Sequence, residues 1–254
     1  MGTAILPGMT DRQRPAETRT ARPGLVVALD GPGSSGKSSV GAAAALDLGY
    51  RFCDTGLLYR AATWLALERD VAPEDAAGLI ALVDEIELAP DEAGRLDRVR
   101  VDGRDETAEV HTARVDERVS EVSRVPELRA ALLARQRDLA AAGRIVMAGR
   151  DIGSVVLPDA DLKIYLDASV EERARRRAAE RGIERGSNEA RSIEAQLRRR
   201  DEIDSGRPVA PLRIADGALV LHTDGNTFVQ TVAHVVDAVR AAEDATPAAH
   251  GAQP

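Results

Sequence analysis

Short apolar runs alternate with helical patterns along most of the chain. Leu25-Val26-Val27-Ala28-Leu29, Arg144-Ile145-Val146-Met147, Leu162-Lys163-Ile164-Tyr165-Leu166 and Ala218-Leu219-Val220-Leu221 are apolar at positions of both parities. Strands of that kind, separated by helices, belong to a parallel sheet covered on two faces. The pattern therefore predicts a three-layer α/β fold with a parallel central sheet, helices on both faces and a helix directly after Gly36. Between about residues 86 and 143 the alternation breaks. Residues 86–88 and 98–101 read as short strands joined by the turn-prone Pro90-Asp91-Glu92-Ala93-Gly94, and residues 113–142 read as helix. This stretch is expected to be an insertion, a substrate lobe carried on a core of residues 23–85 and 144–241. Residues 1–22 are polar and aperiodic, with Met9 as an alternative start, and residues 242–254 are rich in Ala, Pro and Gly. Both are expected to be disordered tails.

Composition narrows the picture. The 254 residues are 44% hydrophobic, ample for a buried core, and carry a net charge of −8. An acidic chain lacks the basic face that a nucleic-acid or anionic-membrane binder needs, so neither partner is expected. The single Cys53 excludes an internal disulfide framework and a cysteine zinc cage, and reads as a small apolar core residue. No apolar run approaches the roughly 20 residues of a membrane span, and the N-terminus has charges where a secretory apolar segment would lie. A cytoplasmic monomer is expected. The cations comprise 32 arginines and only two lysines, Lys37 and Lys163. Lys163 lies within an apolar run, where a lysine at a sheet edge can lay its stem on apolar surface and keep the ammonium in water.

Lys37 has a different context. Gly31-Pro32-Gly33-Ser34-Ser35-Gly36-Lys37-Ser38 fits the G-x-x-x-x-G-K-[ST] pattern between an expected strand and an expected helix. In such a loop backbone N–H groups and the helix N-terminus cradle phosphate oxygens. Lys37 reaches the terminal phosphates, Ser38 can ligate Mg²⁺, and Ser39 offers a further phosphate contact from the first helical turn. Asp30, just before the loop, either orients Mg²⁺-bound water or caps a turn. No Asn-Lys-x-Asp guanine-reading motif is present, which disfavours a regulatory GTPase and leaves a small ATP-dependent kinase as the leading class.

Ligands of open α/β sheets bind beyond the carboxyl ends of the strands, and arginine-bearing motifs are placed to reach that edge. They are Asp54-Thr55-Gly56-Leu57-Leu58-Tyr59-Arg60, Gly149-Arg150-Asp151-Ile152-Gly153, and the run from Arg200 to Arg207, in which Arg200, Asp204 and Arg207 share one helix face. A fourth cluster, Arg173-Ala174-Arg175-Arg176-Arg177, follows Leu166-Asp167-Ala168-Ser169 and is expected in a lid over ATP spanning about residues 170–190. The competing account of each cluster is a solvated charged face. Positive charge near a transferred phosphoryl group is, however, what that chemistry requires, with Lys37, Arg150, Arg207, Arg173 and Arg176 as the catalytic candidates.

Taken together these motifs resemble the bacterial cytidylate kinases, nucleoside-monophosphate kinases that phosphorylate CMP and dCMP with ATP. The resemblance runs from about Leu25 to Val239 and includes Gly149-Arg150-Asp151-Ile152-Gly153-x-Val155-Val156-x-Pro158 and Arg200-Asp201-x-x-Asp204-x-x-Arg207-x-Val209-Ala210-Pro211-Leu212. It implies that Arg60, Arg150 and Arg207 hold the acceptor phosphate with Thr55 nearby. It also implies that Arg200 and Asp204 touch the sugar, and that Ser120, Arg129 and Asp151 read the base. Cytosine offers an amino donor to a carboxylate and two acceptors to Arg and Ser, whereas uracil would set a carbonyl oxygen against Asp151. Three positions depart from the resemblance: Ala148 where an acidic residue is usual, Val110-His111 where Ile-Arg is usual, with Arg114 as a possible substitute, and Ser205 where an Arg is common. The alternatives to a (d)CMP kinase are another small P-loop kinase, acting on UMP, AMP or a metabolite, and a non-catalytic nucleotide-binding regulatory protein.

Overall fold

A computed structural model describes residues 24–245. The tail expected over residues 1–22, and the part of the C-terminal one beyond Ala245, lie outside the described residues. Residues 242–245, expected in that tail, instead continue the last helix.

The chain runs β1 (Val26–Asp30), α1 (Lys37–Leu48), β2 (Arg51–Asp54), α2 (Gly56–Glu68), α3 (Ala76–Val83), β3 (Ile86–Pro90), β4 (Arg95–Val101) and a two-residue β5 (Arg104–Asp105). It continues with α4 (Ala113–Val122), α5 (Pro126–Ala141), β6 (Ile145–Gly149), β7 (Leu162–Asp167), α6 (Val170–Glu180), α7 (Asn188–Ser205), β8 (Leu219–His222) and α8 (Phe228–Ala245). The sheet order is β3-β4-β2-β6-β1-β7-β8. From β4 through β8 neighbouring strands are parallel, and β3 closes one edge as an antiparallel partner of β4. The three-layer α/β expectation holds. Residues of β1 and β6 are buried throughout because helices cover both faces. Val40, Ala44 and Ala45 of α1 and Val235, Val236 and Val239 of α8 pack on one face. On the other, Ile145, Met147 and Cys53 meet Ala140 and Leu133 of α5. Burial pushes the Cys53 thiol up to about 12, so it behaves as the small core residue anticipated.

The inserted lobe differs from expectation in two ways. Its strands are not separate from the core, because β4 pairs in parallel with β2 through Phe52↔Arg95 and Cys53↔Leu96 and so extends the main sheet. Its packing also begins before residue 86: Leu58, Leu65, Leu79 and Leu82 of α2 and α3 share one apolar cluster with Val99, Val115, Leu128 and Leu132. The helical stretch expected over residues 113–142 is divided into α4 and α5, with Pro126 at the first position of the second helix. Lys163 is not on an edge strand, since β7 lies between β1 and β8, and its ammonium donates to the Asp216 carbonyl at 3.2 Å. No helix among the described residues is long and apolar enough to cross a membrane.

Register sets the location of the motifs. Asp30 pairs with Gly149, and Asp54 with Ala148, so β1, β2 and β6 end at the same level. The residues that follow each strand therefore emerge side by side. Asp30 helps fix this edge, its two carboxylate oxygens accepting the Ile152 and Gly153 N–H groups at 2.8 and 2.7 Å. Burial pushes its carboxyl up to about 6, against the pull of those two N–H groups. These bonds give Asp30 a turn-capping role. Asp30→Asn leaves one of two buried N–H groups short of its acceptor, and is expected to cost about 1–3 kcal/mol of stability, read from the urea midpoint at neutral pH.

Candidate active site

Beyond the carboxyl edge lies a cleft of about 770 Å³, walled by the loop after β1, the starts of α1 and α2, the turn after β6, and α6, α7 and the start of α8. The loop after β1 is wound tightly. Ser34 holds φ 60° and Gly36 φ 91°, left-handed conformations of the kind found in loops whose N–H groups converge on an anion. Gly31 is needed for close approach, because a Cβ there would lie 2.5 Å from the Leu166 carbonyl oxygen. Gly33, Ser34, Ser35, Gly36, Lys37, Ser38 and Ser39 line the cleft, whereas Gly31 and Pro32 support it from behind. Lys37 is buried and donates to the Pro32 carbonyl at 3.1 Å. Burial and the neighbouring Arg150 and Arg200 hold its pKa well below the ordinary lysine value. The Ser38 hydroxyl donates to Asp54 Oδ2 at 2.5 Å. Asp54, read in the sequence only as the start of a turn, is therefore the carboxylate beside the loop. Its other oxygen accepts the Gly56 N–H at 2.9 Å.

Opposite the loop, Arg60, Arg150, Arg200 and Arg207 converge around Asp204 and Asp116. Arg150 Nε donates to Asp204 Oδ2 at 2.7 Å and Arg207 bonds the other oxygen. Burial alone would raise the Asp204 pKa, but Arg150, Arg207 and Arg200 hold it below the ordinary carboxylate value. Arg207 does not share a helix with Arg200 and Asp204 as foreseen; α7 ends at Ser205 and Arg207 reaches back from the loop. Burial, with Arg150 adding repulsion, pushes Arg200 down to about 10. The Nε atoms of Arg129, Arg200 and Arg207 and the Ser35 hydroxyl are buried without a hydrogen-bond partner. These atoms could donate to acceptors brought by a ligand.

At the inner end, Arg129 and Asp151, each less than a tenth exposed, pair at 2.5 Å. Arg129 also lies over the Tyr59 ring, 5.1 Å from its centroid, a platform the sequence reading did not single out. Thr55 lines the cleft with its hydroxyl turned to the Ala148 carbonyl at 2.9 Å. Ser120 does not line the cleft. Ser123, just past the end of α4, does: its hydroxyl accepts from Arg207 at 3.1 Å and its carbonyl from Arg129 at 2.9 Å.

Two lid residues separate in role. Arg173 is buried and does not line the cleft; it ties α6 to the loop and to α7 through the Gly33 carbonyl at 3.0 Å and Asp201 at 2.5 Å. Arg176 lines the cleft, held by Thr223 and near the Ser35 carbonyl, and Arg177 lines it as well. His111 faces the cleft, with burial and Arg60 lowering its pKa. Arg114 does not substitute there, being turned outward to Glu68 at 2.8 Å. Asn226, Thr227 and Phe228 form the outer wall, which no motif announced.

Fold and cleft together are those of a P-loop nucleotide-binding protein. Residues 27–241 match the family model described as cytidylate kinase. Curated relatives point the same way. A cytidylate kinase from Geobacillus sp. (strain WCH70) is 43% identical over 221 residues, covering 86% of this chain and 97% of its own. One from Mycobacterium leprae (strain Br4923) is 40% identical over 85% of this chain and 96% of its own. One from Nocardia farcinica (strain IFM 10152) is 45% identical over 82% and 90%. The chain belongs to the cytidylate kinase family.

Asp204→Ala leaves Arg150 and Arg207 facing each other without their shared counter-charge, an expected loss of about 3–5 kcal/mol at neutral pH. Because folding lowers the Asp204 pKa from 3.8, its contribution is present above that value and is lost as pH falls through the folded pKa. Urea titrations of both proteins should show the gap between them narrowing below about pH 4.

Proposed function

We propose that the cleft transfers the γ-phosphoryl group of ATP to the 5′-phosphate of CMP or dCMP, giving ADP and CDP or dCDP. The observation that carries this reading is the gathering of Arg60, Arg150, Arg200 and Arg207 across from a complete phosphate loop. The loop accounts for one polyphosphate, and the arginines call for a second anion facing it.

In this account Gly33 to Ser39 wrap the ATP phosphates, with Lys37 following the group that moves. Arg60, Arg150 and Arg207 grip the acceptor phosphate, Thr55 stands beside it, and Arg200 and Asp204 contact the sugar. Arg129 and Asp151 read the cytosine edge together with a serine hydroxyl from the end of α4, Ser120 or the cleft-lining Ser123. An acceptor phosphate oxygen attacks the γ-phosphorus, the bond to the β–γ bridging oxygen breaks, and its electron pair leaves with ADP. The acceptor phosphate is largely ionised at neutral pH, so no strong general base is needed. The residues act by aligning two anions and offsetting their repulsion.

The oxygen pair formed by Ser38 and Asp54 at the start of α1 fits a hard divalent cation. Ser38 and Asp54 would hold Mg²⁺, which when bound spreads charge from the β- and γ-phosphate oxygens.

Lys37→Ala is expected to lower kcat by about 10²–10³-fold in an assay of ADP release with CMP as acceptor; near-normal turnover would overturn the mechanism. Asp151→Asn should shrink the ratio of kcat/KM for CMP over UMP by about tenfold or more. An unchanged ratio would remove Asp151 as the base reader.

A further inference from the structure

Asp116 lies outside every motif described above. It sits on α4 and accepts from three arginines on the two walls of the cleft. Oδ1 takes Arg60 Nη2 at 2.5 Å, while Oδ2 takes Arg177 Nη2 at 2.8 Å and Arg181 Nη2 at 3.3 Å. Arg60 comes from α2 and its other terminal nitrogen, Nη1, donates to the Val110 carbonyl at 3.0 Å. Arg177 belongs to α6, and Arg181 is the residue that caps it. Both Arg60 and Arg177 line the cleft. No other salt bridge among the described residues joins α6 or its cap to α2 or α4.

We propose that Asp116 is a positioning residue that couples the acceptor-phosphate site to the lid helix, by holding Arg60 with one oxygen and Arg177 and Arg181 with the other. The inference rests on the reading of Arg60 as an acceptor-phosphate ligand. Its physical basis is short. Arg60 and Arg177 are like charges that share one carboxylate, so each is placed partly by the presence of the other. Burial works against the Asp116 charge, yet Arg60, Arg177 and Arg200 outweigh it and keep the carboxyl ionised below the ordinary pKa. Without that charge the two guanidinium groups repel, Arg60 keeps only its contact with Val110, and α6 loses its ionic tie to the acceptor lobe. α4 is otherwise anchored by Val115 and Val119 in the apolar cluster beneath it, so removing the carboxylate leaves the helix seated.

The test is a double-mutant cycle read by calorimetric binding of CMP and by steady-state kinetics. Arg177→Ala, in the lid, is expected to weaken CMP binding by about five- to tenfold in the native background and by less than twofold in an Asp116→Ala background. Asp116→Ala alone should raise KM for CMP by about tenfold, and Asp116→Glu should recover most of that loss. Equal effects of Arg177→Ala in both backgrounds, or tighter CMP binding by Asp116→Ala, would overturn the coupling. Arg60→Ala serves as the separate control: unchanged CMP affinity in that variant overturns the reading of Arg60 itself. If Asp116→Ala does not fold, Asp116→Asn, which keeps the shape and drops the charge, takes its place in the cycle with the same expectations.

Discussion

Guanidinium groups brought within a few ångströms of each other in a partly dry cleft repel, and that repulsion must be offset before any ligand arrives. In this protein carboxylates set among the arginines offset it. Asp204 stands between Arg150 and Arg207, Asp151 against Arg129, and Asp116 among Arg60, Arg177 and Arg181. Asp204 and Asp151 are buried, where losing one partner is costly, and Asp116 is partly buried. The offset is incomplete. Lys37 and Arg200 keep depressed pKa values, first because they are buried and then because Arg150 beside them adds repulsion. A net charge of −8 is thus compatible with a strongly cationic interior cleft.

The sheet supplies the geometry for that cluster. Because β1, β2 and β6 are parallel and in register at their carboxyl ends, the phosphate loop, Thr55 and Arg150 leave the sheet within one layer. Asp30 locks the turn that carries Asp151 to the end of β1, so the base-facing carboxylate is placed from the same strand that launches the phosphate loop. The helices α6 and α7 pack against each other at the mouth of the cleft. This pair has a small apolar core of Ala174, Ala178, Ile193 and Leu197 and is joined to the rest by charge.

Most of this site was legible before any coordinates, because its signals are local. A glycine-rich loop between a strand and a helix, and arginine motifs after expected strands, are short-range patterns whose spacing carries the chemistry. What escaped depends on which distant segments meet. The pairing of β4 with β2 is a choice between strands far apart in sequence, and nothing in residues 86–101 marks a parallel partner. Asp54 has the local signature of an Asx turn, which hides its second oxygen facing Ser38. Ser120 and Ser123 differ by less than one helical turn, so the end of α4 decides which hydroxyl meets the cleft. Arg173 and Arg176, three apart in one basic run, diverge because one faces Asp201 and the loop while the other faces Thr223. Asp116 carried no motif at all.

The central claim is that the cationic cleft joins two phosphates and chooses its acceptor by the cytosine edge. ADP production by the purified protein with ATP, measured in parallel with CMP, dCMP, UMP and AMP as acceptors, tests it most directly. The account predicts that CMP and dCMP are phosphorylated with kcat/KM well above those for UMP and AMP, by tenfold or more. Equal rates with all four acceptors, or ATP binding without transfer to any monophosphate, would contradict it.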